Sequence, residues 1–211
     1  MDGSVRKMLE LSRLETGVQA LRREEFPLAA LAQERLAAAL PADGRLHTEF
    51  ASDNEYTVNA DRALLARALD ALLENAVQHT PEGGCITVRI TNGTLSVANT
   101  GDAIPDHALP RLWEAYYQAD PSRSTKGDGL GLSIAKTVFD LHGYTCGAEN
   151  TDAGPKFWFK FAQSAQKQKP PCGRLLMSNS IAFQQFQLKS YPALLCRPQQ
   201  KDVRREAAYH P

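Results

Sequence analysis

Apolar residues recur along this chain in two periods, and each change of period marks an element. Leu64, Leu65, Ala68, Leu69, Leu72, Leu73 and Ala76 repeat at three- and four-residue intervals. They predict an amphipathic helix from Asp61, a good N-cap, to about His79, ended by the TPEGG turn at 80–84. Met8, Leu11, Leu14 and Glu15 share the same spacing, and Gly17 follows where a helix would stop, so this stretch reads as the last turns of a helix. Pro27 opens an alanine- and leucine-rich helix reaching Leu40, and a third apolar repeat predicts a helix from Gly129 to Leu141.

Alternation with a period of two predicts strands. Val18 to Phe26 alternates loosely, and His47 to Ala51 and Tyr56 to Asn59 form two short runs around the polar S-D-N. Cys85 to Ile90 and Thr94 to Ala98 flank Asn92-Gly93, a specific hairpin signal. Tyr144 to Ala148 and Lys156 to Phe161 read as a closing pair. Between Asn99 and Asp128 periodicity disappears, which predicts a long functional loop. Beyond Phe161 the chain turns rich in Gln, Pro and basic residues with no sustained period, and only Ile181 to Leu188 reads as a short helix or strand.

Composition sharpens this division. A chain of 211 residues holds one sizeable domain with appendages, and 43% hydrophobic with 23% charged residues is ordinary for a globular protein. The net charge of zero conceals an imbalance: residues 1–161 carry 16 Lys and Arg against 22 Asp and Glu, and residues 162–211 carry 8 against 2. A basic tail of this kind is usually solvated, so no nucleic-acid partner is expected. Its changed charge and lost period suggest a disordered or non-native, frameshifted ending. The four cysteines form no C-x-x-C pair and no cluster at metal spacing, which fits a reduced, cytoplasmic setting. No run of about 18 apolar residues is present to cross a membrane.

Three signals carry candidate chemistry. Asn75, in ALLENAVQHT near the end of the long helix, can offer its carbonyl oxygen to magnesium, which needs only one or two protein oxygens. Alone it is more often a plain surface asparagine on an amphipathic helix. VANTGDAIP, residues 97–105, sets Asn99 and Gly101 directly after a strand, where backbone can approach a flat ligand and an amide can bond a ring edge. GDGLGLSIAK, residues 127–136, runs alternating glycines into a helix and so aims free amides and the helix dipole at an anion. It follows a long polar loop rather than a first strand, which argues against a dinucleotide fold, and no G-x-x-x-x-G-K-[ST] is present.

In order and spacing these blocks resemble the histidine kinase branch of the superfamily that also contains gyrase, the Hsp90 chaperones and the MutL repair proteins. ALLENAVQHT looks like the N box, VANTGDAIP the first glycine box, RLWEAYYQADPSRS the F box and GDGLGLSIAK the second glycine box, over roughly Met8 to Phe161. The resemblance implies an α/β fold of the Bergerat type: a two-layer sandwich of a mixed sheet and about three helices, spanning 18–161. ATP and Mg2+ would bind between the helices and a lid from Pro105 to Lys126.

By the same resemblance, Asn75 would coordinate magnesium and Asn99 would read the adenine amino group. Gly101 would let the base lie close, and Gly127, Gly129 and Gly131 would wrap the phosphates. His79, Ile104, Leu130 and Leu132 would line the pocket, with Trp113 and Tyr116 as hydrophobic anchors of the lid and Arg123 as a phosphate contact. MLELSRLETG looks like the end of the second helix of a dimerisation hairpin, so residues 1–17 would be its remnant. None of His47, His79, His107, His142 or His210 has the family's phosphoacceptor context.

The implied activity is therefore transfer of the ATP γ-phosphoryl to a histidine on a partner hairpin, with a response regulator downstream and homodimers in the full-length protein. Full-length relatives of this kind are usually anchored in the cell membrane. Several positions depart from the pattern. Asn99 replaces the usual Asp, Ala103 a second glycine, Ala71 a polar residue, and Gln78-His79 the common Lys-Tyr. Two alternatives remain: an anti-sigma-type serine/threonine kinase, and a nucleotide-binding module without transfer.

Overall fold

The computed structural model describes residues 3–16, 20–118 and 128–161. Arg123, Gly127 and the tail from 162 lie outside the described residues. Four α-helices are present among the described residues: α1 (Gly3–Glu15), α2 (Leu28–Ala39), α3 (Arg62–His79) and α4 (Gly131–His142), with a single 3-10 turn at Leu109–Arg111. Seven strands accompany them: β1 (Arg23–Pro27), β2 (His47–Ser52), β3 (Thr57–Asp61), β4 (Cys85–Thr91), β5 (Thr94–Asn99), β6 (Thr145–Thr151) and β7 (Gly154–Lys160). The main sheet has the order β2-β4-β5-β7-β6 and is mixed, because β2 runs parallel to β4 while the other neighbours are antiparallel.

The apolar stripe of α3 buries Leu65, Ala68, Leu69, Leu72, Leu73 and Ala76 against the sheet, as its spacing predicts. Ala71 joins them, while Leu64 is half-buried. The Asp61 carboxylate caps the helix by accepting the Leu64 amide at 3.1 Å. From the sheet, Ile86, Val88, Ile90, Leu95, Val97, Phe157 and Phe159 project into the same core. Phe159 is central to it: its ring stacks on Phe139 of α4 at 4.5 Å and on Tyr144 at 5.9 Å.

Three details differ from the expectations. Alternation predicted a strand from Val18, but pairing begins only at Arg23, and Pro27 ends the strand by serving as N-cap of α2. β1 and β3 form a separate two-stranded antiparallel sheet, so the neighbouring runs at 47–52 and 57–61 belong to different sheets. The helix read from Met8 extends back to Gly3, and Leu11 and Leu14 are its buried residues. The Asn92-Gly93 hairpin forms as expected, both residues adopting positive φ, 52° and 72°.

Candidate functional site

The site is built at three chain reversals that converge on one side of α3. β5 buries every second residue, Leu95, Val97 and then Asn99. Its register, in which Asn99 pairs with Ile86, therefore turns a polar side chain onto the core face at the strand end. Asn99 is 3% exposed. Its amide nitrogen donates to the Thr100 carbonyl at 3.1 Å, which fixes the amide orientation, and its Oδ1 is buried without a partner. A buried acceptor left unpaired costs about 1–3 kcal/mol, so this oxygen is poised for an incoming donor.

The chain beyond Asn99 is held by backbone packing. A Cβ on Gly101 would meet the His79 carbonyl oxygen at 2.9 Å, so the end of α3 and the first glycine loop touch only because residue 101 has no side chain. The Gly101 amide donates to Ala153 O at 3.2 Å. Ile104 is clamped by Asn150, whose Oδ1 accepts its amide at 2.9 Å and whose Nδ2 donates to its carbonyl at 2.8 Å.

At the other end of the site, α4 starts at Gly131 with Leu130 as N-cap and no side-chain cap. Uncapped first-turn amides and the helix dipole favour an anion there. A Cβ on Gly131 would make an ordinary 3.9 Å contact with Ala71 Cβ, so this glycine sits where α4 meets α3. Ala71, Asn75 and His79 are spaced by four and line one side of α3. Asn75, half-buried, thus stands midway between the start of α4 and the Gly101 loop.

The described part of the loop after β5 is fastened at two points. Trp113 meets Phe157 edge-on at 6.1 Å. Tyr116 adopts φ 64°, its amide donates to Gly129 O at 2.9 Å, and a Cβ on Gly129 would come within 2.8 Å of the Tyr116 backbone. The expectation for Trp113 as an anchor holds. For Tyr116 it is corrected: the residue is 57% exposed, and it anchors the lid through its main chain. Arg111 lies over the Tyr117 ring at 4.4 Å and pairs with Glu114.

Among the expected pocket residues, Leu130 is buried, Leu132 and Ile104 are half-buried, and His79 is exposed, while its carbonyl makes the contact described. Although the residue as a whole is exposed, desolvation of part of the His79 ring pushes its pKa down. Gly154 and Asn150 are site residues that sequence reasoning does not find. Gly154 has φ 143°, and a Cβ there would collide with the Asn99 carbonyl oxygen and with Gly101. Its only sequence signal is the T-D-A-G turn, and Asn150 carries none.

Known proteins share sequence and fold with this chain. Sensor protein IrlS of Burkholderia pseudomallei (strain K96243) is 32% identical over 182 residues, 78% of this chain and 39% of that protein. Sensor histidine kinase CusS of Escherichia coli O157:H7 is 37% identical over 125 residues, 56% of this chain and 26% of CusS. The chain spans less than half the length of these curated relatives. Among solved structures, the nucleotide-free catalytic domain of histidine kinase ThkA superposes with a TM-score of 0.56 at 28% identity, covering 67% of this chain and 96% of that one. Full-length ShkA in complex with AMPPNP gives 0.63 at 25% identity, covering 76% and 36%. Residues 60–165 match the histidine kinase-, DNA gyrase B-, and HSP90-like ATPases, and the chain belongs to that family.

Proposed function

We propose that this chain binds ATP with magnesium between α3, the first glycine loop and the start of α4, and that it is the catalytic part of a two-component sensor histidine kinase. The observation that carries the reading is Asn99 Oδ1, a buried acceptor with no partner at the edge of the Gly101 loop. The adenine amino group supplies the donor it lacks. Gly101 and Gly154 keep side chains out of the loop behind it, so the base has a rigid backbone platform.

The phosphates would extend toward α4, where the amides of the first turn and the αL turn at Gly129 present donors to an anion. Asn75, between the two ends, would hold magnesium through its carbonyl oxygen. That ion would neutralise phosphate charge and orient the terminal phosphoryl group. The residues here position and stabilise, and the nucleophile is a histidine on a separate hairpin. The main-chain bond from Tyr116 to Gly129 would hold the loop against this end of the site. A response regulator would then receive the phosphoryl group. Such a pairing is seen in one structural neighbour, histidine kinase ThkA in complex with response regulator protein TrrA.

The test is incubation of the full chain with magnesium ATP and a separately made histidine hairpin from a sensor kinase. Acid-labile phosphate on the hairpin is the expected product. Acid-stable phosphate on a serine-bearing partner, with none on the hairpin, would move the chain to the anti-sigma-type alternative.

A further inference from the structure

α1 is held to the rest of the domain by contacts of three kinds. Leu11 and Leu14 are buried, and the helix lies along α4. Glu10 receives Arg67 Nε of α3 at 3.0 and 3.2 Å through its two carboxylate oxygens. Lys7, one turn earlier on the same face, reaches two carboxylates at once: its Nζ is 3.5 Å from Asp128 Oδ1 and 3.9 Å from Glu74 Oε2.

Both carboxylates flank the site. Glu74 immediately precedes Asn75, and Asp128 Oδ1 also accepts the Leu130 amide at 3.2 Å, one residue before α4 begins. The Lys7 ammonium is thus one carboxylate away from the amides that face the phosphates. Lys7 and Asp128 side chains are only 29% and 18% exposed, so water screens this pair incompletely. Two carboxylates at the phosphate end would repel a polyphosphate, and Lys7 cancels part of that charge while keeping protons to donate.

We infer that Lys7, delivered by the docked α1, completes the phosphate end of the nucleotide site, so that docking of α1 and binding of the triphosphate strengthen each other. The inference rests on the nucleotide reading above and assigns α1 a part in it. Reciprocity follows from linkage: if the docked helix raises triphosphate affinity, triphosphate raises the stability of the docked helix by the same factor.

Equilibrium binding of ATP and of adenosine to the full chain and to Lys7→Ala, Lys7→Glu and Lys7→Arg tests it. Lys7→Ala is expected to weaken ATP about fivefold to tenfold at low salt, Lys7→Glu to weaken it further and Lys7→Arg to stay near wild type. Adenosine, which has no phosphate, should bind all four alike. In wild type, ATP but not adenosine should slow amide exchange across α1. Equal ATP affinity in all four proteins overturns the inference. So does a parallel loss of adenosine, which would mark Lys7 as merely structural. A wild type that binds neither ligand removes the nucleotide reading itself, a result distinct from either.

Discussion

Gly154 and the Asn99 carbonyl oxygen lie so close that any Cβ at residue 154 would collide with it, and the same atom would stand 2.8 Å from the Gly101 amide nitrogen. The β6–β7 turn is therefore part of the proposed adenine platform, although it lies about 50 residues along the chain from Asn99. Gly154 also holds φ 143°, which a side chain strains. Gly154→Ala should lower stability by about 1–3 kcal/mol in chemical denaturation and weaken ATP binding as well. Unchanged binding in the folded variant would separate the turn from the site.

Gly129 presents the same argument at the phosphate end. It sits at φ 68° with the Tyr116 backbone against it, so Gly129→Ala carries both the left-handed penalty and a backbone clash. A loss of about 2 kcal/mol is expected from thermal unfolding. The lid should detach from the start of α4, read as faster proteolysis near Tyr116.

Asn99→Leu separates stability from function. Leucine has a similar volume, removes the orphaned acceptor and loses one hydrogen bond to Thr100 O. The two effects oppose each other at about 1 kcal/mol each, so thermal stability should change little. A steep loss of stability would show that Asn99 is a structural amide.

His142, the last residue of α4, is bonded to the residue that caps α3. Its Nε2 accepts the Asp61 amide at 2.9 Å, and its Nδ1 donates to Val138 O at 2.7 Å, so the ring is neutral and its tautomer is set by these partners. Burial lowers its pKa from the usual 6.5, with the Val138 bond opposing in part. A base whose folded pKa is depressed binds fewer protons folded than unfolded. Its stability contribution is full above about 6.5 and is lost as pH falls toward the folded value. His79 shifts in the same direction through burial, so the assignment needs a variant. His142→Gln should flatten the decline in stability between about pH 7 and 5 more than His79→Gln does.

The elements with strong periodicity were legible in the sequence. The α3 stripe, the Asp61 cap and the Asn92-Gly93 hairpin are local, each decided by residues within one or two turns of one another. Partners of strands were not legible, because alternation reveals which face is apolar but not which strand lies alongside. That is why β2 and β3, adjacent in sequence, pair in different sheets. Asn75, Asn99, Gly101 and the glycine run could be picked out by type and spacing. Gly154 and Asn150 could not, since each acts on a segment far away along the chain. The family resemblance implies Tyr116 as an apolar anchor, yet its ring is exposed and its main chain, at positive φ, does the anchoring.

Calorimetric titration of magnesium ATP into wild type, Asn99→Leu and Asn75→Asp tests the central claim most directly. Wild type is predicted to bind, Asn99→Leu to lose about tenfold in affinity with its fold intact, and Asn75→Asp to lose most of its affinity for the magnesium complex. Equal binding by all three proteins would contradict the proposed pocket.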